Sequence, residues 1–478
     1  MHAYDKLYIG GEWAAPAGSD TIEVISPATE EVVGRVPDGT TADIDAAVAA
    51  ARKAFDEGPW PRLSPTERAD AVEKFANLYA TRLDDMANII STEMGSPLLF
   101  AQLAQAPMPY MMLNYFVGLA REFPFEEERQ GMLGNVLVRH EPVGVVGAIV
   151  PWNVPQFTTM SKLAPALVAG CAVVLKPAPE TPLDAFLMAE IAHEAGIPAG
   201  AINIVPAGRE VGEHLVTHPG VDKIAFTGST AAGRKIAALC GENLKRCSLE
   251  LGGKSAAIVL DDADLGQLTE GLKMASFMNN GQACVAQTRI LASRSRYDEV
   301  VEALADLANG FKVGDPLDAT TEIGPLVSAR QRERVEGYIK IGQDEGAKAV
   351  TGGGRPAGLE KGWYVEPTIF AGVDNDMRIA REEIFGPVLV AIPYDDEADA
   401  LRIANDSDYG LAGTVWTADV DHGIDIARQV RTGTYGVNGY LMDISSPFGG
   451  YKASGIGREF GPEGLSGYLE HKSIALPG

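Results

Sequence analysis

Apolar and polar residues alternate along the first forty residues, between glycine and proline turns, which predicts a set of short strands. The alanine-rich stretch 46–55 then has the pattern of a helix. Ser64-Pro65-Thr66-Glu67 supplies a capping box with proline at the first helical position, so a second helix should begin there. We expect this second helix to end at Gly95, since glycine is a common C-terminal stop.

From Val143 onward, apolar strands alternate with amphipathic helices. Five such alternations predict a parallel, doubly wound sheet with helices on both faces, an α/β domain of the Rossmann type. Thr181-Pro182 should cap the helix that follows it. The predicted strands are 145–150, 172–176, 201–205, 223–226 and 248–251, and the predicted helices are 159–169, 183–195, 210–218 and 231–239.

The alternation resumes after Gly253 and predicts a second α/β domain. Ligands of doubly wound sheets bind at the carboxyl ends of the strands, and clefts between domains are common sites. We therefore expect the functional site in the cleft between the two domains. Strands are expected near 289–292, 364–370, 388–392 and 414–416, and helices before Asn279 and near 298–311.

Composition narrows the classes of function. A chain of 478 residues should form two or three domains. Its formal net charge of −25 argues against a nucleic-acid or anionic-membrane partner, because both need a basic face. No apolar run reaches membrane-spanning length, and the first residues lack the apolar core of a secretion signal. The cysteines form no C-x-x-C pair, which indicates a reducing cytoplasm without disulfides or a cysteine-rich metal site; they are Cys171, Cys240, Cys247 and Cys284.

One cysteine lies in an unusual turn, Phe277-Met-Asn-Asn-Gly-Gln-Ala-Cys284. Glycine and side-chain amides let the backbone bend sharply and leave the sulfur open on one side. A thiolate at this position would attack a carbonyl carbon. The alternative is a packed cysteine, which is the commoner state of a free thiol.

A nucleophilic Cys284 needs a base, and Glu250 is a better candidate than any histidine. Glu250 ends a strand between two leucines, where burial would raise the pKa of its carboxyl toward the range of a general base. The alternative is a glutamate that points into water, since both leucines face the opposite side. None of the seven histidines lies in a glycine- or amide-rich turn, although spacing alone does not exclude a Cys–His hydrolase.

His214 and His218 have the i, i+4 spacing of a metal-binding pair on a helix. The sequence offers no third ligand nearby and no glutamate of the H-E-x-x-H type. A solvated helix edge is therefore the simpler interpretation, and we predict no metal.

Two turns offer hydrogen-bond donors. In Pro151-Trp-Asn153-Val-Pro155, two prolines hold an asparagine whose NH2 could donate to a developing oxyanion. The small residues from Phe226 to Gly233 lead a strand into a helix, whose N-terminus could accept a pyrophosphate. That second turn is neither a G-x-G-x-x-G motif nor a Walker loop.

Together these stretches resemble the aldehyde dehydrogenase superfamily, over nearly the whole chain. The motifs that carry the resemblance occur in the family's order: Pro151-Trp-Asn-Val-Pro, Phe226-Thr-Gly-Ser, Leu249-Glu-Leu-Gly-Gly-Lys, Gly281-Gln-Ala-Cys, Glu382-Glu-Ile-Phe-Gly-Pro-Val and Pro447-Phe-Gly-Gly-Tyr-Lys-Ala-Ser-Gly.

The resemblance implies a hydrolytic, non-acylating oxidation of an aldehyde to a carboxylic acid with NAD(P). Cys284 would form a thiohemiacetal, whose oxyanion Asn153 and the Cys284 amide would stabilise. After hydride transfer, water activated by Glu250 would hydrolyse the thioester. Glu459 matches an acidic residue that is sometimes assigned a proton relay, against which stands a plain surface glutamate.

The resemblance also assigns the cofactor site. Lys176 would bind the adenosine ribose, Glu383 the nicotinamide ribose, Phe385 the nicotinamide face and Ser229 the pyrophosphate. The full set of cofactor residues it implies is Ile149, Val150, Pro151, Trp152, Lys176, Phe226, Thr227, Gly228, Ser229, Leu251, Gly252, Glu383 and Phe385.

The chain departs from the family pattern in two places. Pro179 replaces the glutamate that would hold the ribose hydroxyls and repel a 2′-phosphate, and Glu180 lies one position late. NAD is still expected, with NADP possible, because no arginine replaces the missing carboxylate. The pocket residues Val154, Ala283, Val285 and Phe448 suggest a roomy, apolar tunnel for a bulky aliphatic or aromatic aldehyde.

By the same resemblance, residues 1–123 and 144–252 form the dinucleotide-binding domain and 253–453 the catalytic domain. Residues 124–143 and 454–478 would form a small oligomerisation sheet that extends a partner's sheet in a homodimer or homotetramer.

Three alternatives stay open. A coenzyme-A-acylating semialdehyde dehydrogenase generally lacks a carboxylate at the position of Glu250. A cofactor-independent thiol esterase would turn over esters without nicotinamide. A non-catalytic protein could keep the fold, since fold alone does not establish activity.

Overall fold

The computed structural model describes residues 2–477. The alternation in the first forty residues predicted the N-terminal strands correctly. These are β1 (His2–Ala3), β2 (Leu7–Ile9), β3 (Glu12–Ala14), β4 (Thr21–Ile25) and β5 (Val32–Pro37). The helices that follow are α1 (Thr41–Asp56), α2 (Pro65–Ala80), α3 (Leu83–Met94), α4 (Leu98–Phe100) and α5 (Pro107–Glu122), with a π-helical turn at Ala101–Gln105.

The predicted strand–helix alternation follows. Its strands are β6 (Glu126–Gly131), β7 (Gly134–Pro142), β8 (Val145–Ile149), β9 (Ala172–Lys176), β10 (Ile202–Ile204), β11 (Lys223–Thr227) and β12 (Arg246–Glu250). Its helices are α6 (Pro155–Ala169), α7 (Leu183–Ala195), α8 (Arg209–Thr217) and α9 (Thr230–Glu242).

The remaining strands are β13 (Ser255–Val259), β14 (Gln287–Ser293), β15 (Lys348–Thr351), β16 (Thr368–Ala371), β17 (Val388–Tyr394), β18 (Gly413–Trp416), β19 (Gly436–Val437), β20 (Gly455–Ile456) and β21 (Leu469–Ala475). The remaining helices are α10 (Leu265–Phe277), α11 (Tyr297–Gly310), α12 (Ala329–Asp344), α13 (Arg378–Arg381), α14 (Glu397–Asn405), α15 (Val420–Ala427) and α16 (Gly461–Ser466).

The first large sheet has the strand order β20-β12-β11-β8-β9-β10-β2-β3. Its five central strands are parallel, and β20 and β2 pair antiparallel at the two sides. Every residue of β8 and β9 is buried, as expected for parallel strands covered on both faces. Residues 455–456 were predicted to lie in the oligomerisation tail, but as β20 they form an edge strand of this sheet.

The second large sheet has the order β15-β16-β17-β14-β13-β18-β19 and is parallel except for β15. The chain passes from the first sheet to the second between the end of β12 at Glu250 and the start of β13 at Ser255. The two-sheet α/β architecture is confirmed.

Two smaller antiparallel or mixed sheets complete the fold. Strands β21, β7 and β6 form one, and β1, β5 and β4 form the other. Strand β6 is almost wholly exposed, and so is most of β21. Within residues 2–477, no helix combines the length and the apolar character that crossing a bilayer requires.

Two predictions about helices were wrong: one predicted helix is two helices, and one predicted N-cap is absent. The predicted second helix is broken into α2 and α3, because the backbone amide and the hydroxyl of Thr81 both bond back to Leu78 O and close α2. Gly95, with φ of 82°, does end α3. Thr181 does not cap α7; instead Glu93 of α3 accepts the amide hydrogens of the first two residues of α7, at 2.9 and 3.2 Å.

Candidate active site

The turn before Cys284 has a left-handed backbone. Asn279, Asn280 and Gly281 have φ of 55°, 62° and 71°, values that asparagine and glycine tolerate best. Gly281 is required for space as well, since a Cβ there would lie 2.4 Å from the carbonyl carbon of Gly386. The turn presents Cys284 to the cleft, and its side chain is partly exposed. The alternative of a cysteine packed in the core is therefore wrong.

Buried side-chain amides fix this conformation. Nδ2 of Asn280 donates to the carbonyl oxygens of Gly95 and Pro325, both at 2.9 Å. Oδ1 of Asn279 accepts a hydrogen bond of 3.0 Å from Nε2 of Gln105. Gln105 is the last residue of the π-helical turn, and such turns are frequent at functional sites.

Asn153 lies between β8 and α6 and is 4% exposed. Its Nδ2 donates to the carbonyl of Gln282 at 2.9 Å, and its own carbonyl accepts from Nδ2 of Asn279 at 2.8 Å. Since an amide NH2 has two hydrogens, one remains to donate into the cleft beside Cys284. Asn153 is therefore placed to stabilise a negative oxygen.

Glu250, the last residue of β12, is 3% exposed, and neither of its carboxyl oxygens has a hydrogen-bond partner among the described residues. The alternative of a glutamate in water is therefore wrong. Burial, and after it the charge of Glu459, raises the pKa of Glu250 well above its ordinary value. A carboxyl with free oxygens and a raised pKa can take a proton from a water molecule.

Glu459 is also buried, at 5% exposure, so it is not a plain surface glutamate. Nζ of Lys162, on α6, lies 2.6 Å from Glu459 Oε1 and 2.6 Å from Oγ1 of Thr227. A charged pair is tolerated in the interior when its hydrogen bonds are satisfied in this way. The charges of both members of the pair act on the pKa of Glu250, Glu459 raising it and Lys162 lowering it.

Burial, with the charges of Glu383 and Glu250, raises the pKa of Cys284 to about 12. The Cys284 thiol is therefore protonated at neutral pH. Loss of this proton needs a base or a nearby positive charge.

A cavity of about 220 Å³ extends along the cleft in front of Cys284. Ser229, the N-cap of α9, lines the cavity, so the N-terminus of this helix lies beside it, and helix N-termini favour anionic groups. Phe385, with φ of 66°, places its ring 5.4 Å from that of Trp152. The lining residues are Pro151, Trp152, Asn153, Val154, Thr158, Thr227, Gly228, Ser229, Leu251, Gly252, Cys284, Gln331, Arg334, Glu383 and Phe385.

The sequence profile of the aldehyde dehydrogenase family matches residues 13–474. The chain belongs to this family. It is 50% identical over 476 residues to geranial dehydrogenase of Castellaniella defragrans, covering 99% of each chain. An aldehyde dehydrogenase of Mycobacterium tuberculosis solved with NAD+ superposes with a TM-score of 0.98 at 54% identity, covering 100% of this chain and 99% of that one. A Pseudomonas syringae aldehyde dehydrogenase variant solved with NAD+ and octanal gives 0.96 at 42% identity, covering 98% and 96%.

Nine of the thirteen predicted cofactor residues of this aldehyde dehydrogenase line the cavity. The other four lie behind or beyond it: Ile149, Val150, Lys176 and Phe226. Ile149, Val150 and Phe226 are buried in or beside the strands that support the lining turns. Lys176 is 6% exposed, and its Nζ donates to the carbonyl of Ala207 at 2.7 Å, at the start of α8.

The cavity residues fit a dinucleotide. The carboxylate of Glu383 accepts the amide hydrogen of Gly253 at 2.9 Å and keeps further acceptor capacity for ribose hydroxyls. Gly252 allows this approach, since a Cβ there would lie 2.4 Å from Glu383 Oε2. Nε2 of Gln331 donates to the carbonyl of Phe385 at 2.7 Å and fixes that strained residue.

The four predicted pocket residues are not equivalent. Val154 lines the cavity, and Ala283 is partly exposed beside Cys284. Val285 and Phe448 are buried in the core at 3% and 5% exposure, so they support the site from behind rather than line this cavity.

Sequence reasoning missed four residues of the site: Thr158, Lys162, Gln331 and Arg334. Thr158 and Lys162 lie in α6, and nothing in the sequence of this helix distinguishes them from residues that only pack. Gln331 and Arg334 lie on α12, which was not predicted, and their partners are in the segment around Phe385. Lys162 and Glu459 are too far apart along the chain for a motif to connect them.

We predicted that no third possible metal ligand lies near His214 and His218, and this prediction was wrong. Asp45 of α1 lies beside both, with its Oδ1 2.6 Å from Nε2 of His214 and 3.4 Å from Nε2 of His218. Nδ1 of His218 accepts the amide hydrogen of Gly220, which fixes its proton on Nε2. The three side chains therefore contact one another at the helix edge.

Gln105→Ala is expected to lower kcat about tenfold with little change in KM, because a shift of the turn by a fraction of an ångström misplaces Cys284. Gln102, exposed on the same π-helical turn, provides the matched control as Gln102→Ala. Steady-state kinetics of both variants check this. Equal kcat for the two variants would show that the bond to Asn279 does not position the nucleophile.

Proposed function

We propose that this aldehyde dehydrogenase oxidises apolar aldehydes to carboxylic acids with NAD through a covalent Cys284 intermediate. The proposal rests on one observation: the candidate nucleophile, oxyanion donor and base lie close together in one cleft. Cys284 and Asn153 line the same cavity as the dinucleotide cradle, and Glu250 is near enough for its charge to raise the pKa of the Cys284 thiol.

The first step assigns Cys284 as the nucleophile. Its sulfur adds to the aldehyde carbon as the Glu250 carboxylate takes the thiol proton and passes it to solvent, which gives a thiohemiacetal. The remaining Nδ2 hydrogen of Asn153 and the Cys284 amide donate to the oxyanion. A nicotinamide held in this cavity would accept the hydride, and Cys284 would then carry the substrate as a thioester.

The second step assigns Glu250 as the base. Its carboxylate takes a proton from a water molecule that attacks the thioester, and the Cys284 thiol leaves as the acid is released. The pair of Lys162 and Glu459 holds charge near Glu250 and can receive its proton. The presence of Glu250 favours hydrolysis over transfer to coenzyme A, and the dinucleotide cradle favours a dehydrogenase over a cofactor-independent esterase.

An apolar aldehyde is favoured by three residues near Cys284. Val154 lines the same cavity, Ala283 is the chain neighbour of Cys284 and is partly exposed, and Tyr440 is near enough for the charge of Cys284 to act on its pKa. The relatives named for geranial and solved with octanal point to the same class.

The test of the substrate class is a homologous series of straight-chain aldehydes. We expect kcat/KM to rise about fourfold per added methylene until the tunnel is filled, since each buried CH2 contributes about 0.8 kcal/mol. The assay follows NADH absorbance. Succinic semialdehyde, of similar length but charged, is the control and should be a poor substrate. A flat series, or a preference for the charged aldehyde, would contradict an apolar tunnel.

We propose that two carboxylates replace the one missing at Pro179. Both Glu180 and Asp38 are near enough to Lys176 for their charges to act on its pKa, which burial lowers to about 8. Either carboxylate would repel a 2′-phosphate at the ribose. This favours NAD over NADP.

Glu180→Gln is expected to raise kcat/KM for NADP severalfold relative to NAD, because one repulsive charge is removed at about 1 kcal/mol. Glu210→Gln, on the first turn of α8, serves as the control. Kinetics with both dinucleotides check this. An unchanged ratio would place the discrimination elsewhere.

We propose the domain boundaries that the sequence suggests, and we propose that the chain forms a homo-oligomer. Strands β6 and β21 leave both edges of a three-stranded sheet open, and exposed edges favour pairing with another strand. We propose that a second copy of the chain covers this sheet. A molar mass measured by light scattering at that of the single chain would contradict this.

A further inference from the structure

The carboxyl ends of three neighbouring strands border the cavity in front of Cys284. The lining turns follow β12, β11 and β8, and β9 is the next strand in the sheet order. Cys284 lies at the β12 side, since a Cβ on Gly253 would be 2.4 Å from its carbonyl oxygen, and Ser229 follows β11. Ligands of doubly wound sheets lie across the carboxyl ends of the strands, and helix N-termini favour phosphate groups. A dinucleotide with its nicotinamide at Cys284 and its pyrophosphate at Ser229 would therefore reach β9 with its adenosine ribose.

Glu180 and Arg330 form an ion pair at this end of β9. Glu180 lies in the turn that follows β9, which ends at Lys176. Arg330 is the second residue of α12, and the next residue, Gln331, lines the cavity. Nη2 of Arg330 donates to Oε1 of Glu180 at 2.9 Å. The sequence around Pro179 contains no arginine, but the fold brings one there from a position 150 residues after Glu180.

Arg330 has unused donor capacity. A guanidinium carries five N–H groups, and among residues 2–477 this one makes no hydrogen bond besides that to Glu180. The side chain of Arg330 is 81% exposed, whereas that of Glu180 is 24% exposed. The other cation at this place, Lys176, already donates to the carbonyls of Pro177 and Ala207, at 3.2 and 2.7 Å. Since the planar fork of a guanidinium matches a phosphate group, Arg330 is the better phosphate ligand of the two.

We propose that Arg330 is the residue that binds the 2′-phosphate of NADP, and that its ion pair with Glu180 makes the site select NAD. This inference rests on the proposed NAD-dependent function, which places a dinucleotide across the strand ends. In the wild-type chain the carboxylate of Glu180 holds the guanidinium and repels a phosphate. A phosphate must therefore displace Glu180 before it can bind. Without that carboxylate, the guanidinium is free to pair with the phosphate oxygens.

A second arginine near this end of β9 is Arg209, the first residue of α8. The carbonyl of Ala207, just before α8, accepts the hydrogen bond from Lys176. Arg209 is exposed, and the described residues include no hydrogen bond or ion pair between it and Glu180. A substitution at Glu180 therefore releases Arg330 and not Arg209, which allows the two arginines to be distinguished.

The test measures dinucleotide binding to the full chain by calorimetry, so it needs no turnover of an aldehyde. Glu180→Gln should lower the Kd for NADP about fivefold without strengthening the binding of NAD. Adding Arg330→Gln to this variant should raise the Kd for NADP about fivefold again, with the Kd for NAD unchanged within about twofold. Adenosine 2′,5′-bisphosphate, compared with adenosine 5′-monophosphate, should show the same difference, because it carries the 2′-phosphate without the nicotinamide.

Two controls are made in the same Glu180→Gln background. Lys340→Gln removes a cation from α12 that is 74% exposed, and it should leave the Kd for NADP unchanged. Arg209→Gln should raise this Kd less than Arg330→Gln does. An unchanged Kd for NADP after Arg330→Gln, an equal loss of NAD and NADP binding, or a loss that requires Arg209 and not Arg330 would overturn the proposal. Failure of the wild-type chain to bind either dinucleotide would overturn the proposed function itself, and this inference with it.

Discussion

Cys284→Ala is expected to lower the rate of NADH formation by at least about 10⁴-fold, because alanine cannot form the covalent intermediate on which both steps depend. Cofactor binding should persist. Cys284 is only one of the residues that line the dinucleotide cavity, and the N-terminus of α9 and Glu383 remain in place. The Kd for NAD, measured by fluorescence or calorimetry, should stay within about twofold of the wild-type value.

The matched control is Cys247→Ser, assayed in a reducing buffer. Cys247 is also a partly exposed cysteine, but it lies outside the cleft, so this variant should keep wild-type turnover. Aldehyde oxidation by Cys284→Ala within tenfold of wild type would contradict the assignment of the nucleophile. Loss of both turnover and NAD binding would indicate a collapsed cleft, and Cys284→Ser, which keeps the volume, would then decide.

Local patterns were sufficient for most of the fold. Strand and helix periodicity predicted the central strands from β8 to β12 because buried parallel strands read as continuous apolar runs. The prediction failed where a single local contact decides the outcome. The hydrogen bonds of Thr81 to Leu78 divide one predicted helix into two, and apolar periodicity contains no signal for them.

The nucleophile and the base could be predicted because each lies in a short segment with unusual chemistry. Cys284 follows a turn of amides and glycine, and Glu250 is a lone carboxyl among leucines. The surrounding groups depend on contacts between distant segments. Gln105 reaches Asn279, and Lys162 reaches Glu459, only after segments far apart along the chain have packed together. No spacing rule connects such pairs, so their roles follow from the structure alone.

Glu250→Gln is expected to stop the reaction after its first half. Glutamine keeps the shape of the side chain but cannot take a proton from water, so the thioester on Cys284 should accumulate. Stopped-flow absorbance should show a burst of about one NADH per active site, followed by a steady rate about 10²–10³-fold below wild type. The acyl-enzyme should be visible as an added mass on the intact protein. Glu463→Gln, at an exposed glutamate on α16, should behave as wild type.

Glu250→Gln should lower the turnover rate but raise the unfolding temperature. A loss of activity through loss of the base can therefore be distinguished from a loss through misfolding. Burial raises the pKa of Glu250 in the folded protein above its value in the unfolded chain. The folded state therefore binds this proton more tightly, and stability falls as pH rises from the unfolded pKa to the folded pKa. Glutamine is neutral throughout, so Glu250→Gln should unfold at a higher temperature than wild type above the folded pKa. This gain should vanish below pH of about 4, where both forms are neutral. Calorimetry across this pH range checks the sign. A variant that is less stable than wild type at pH 8, or one that shows steady turnover without a burst, would remove Glu250 from its proposed role as the base.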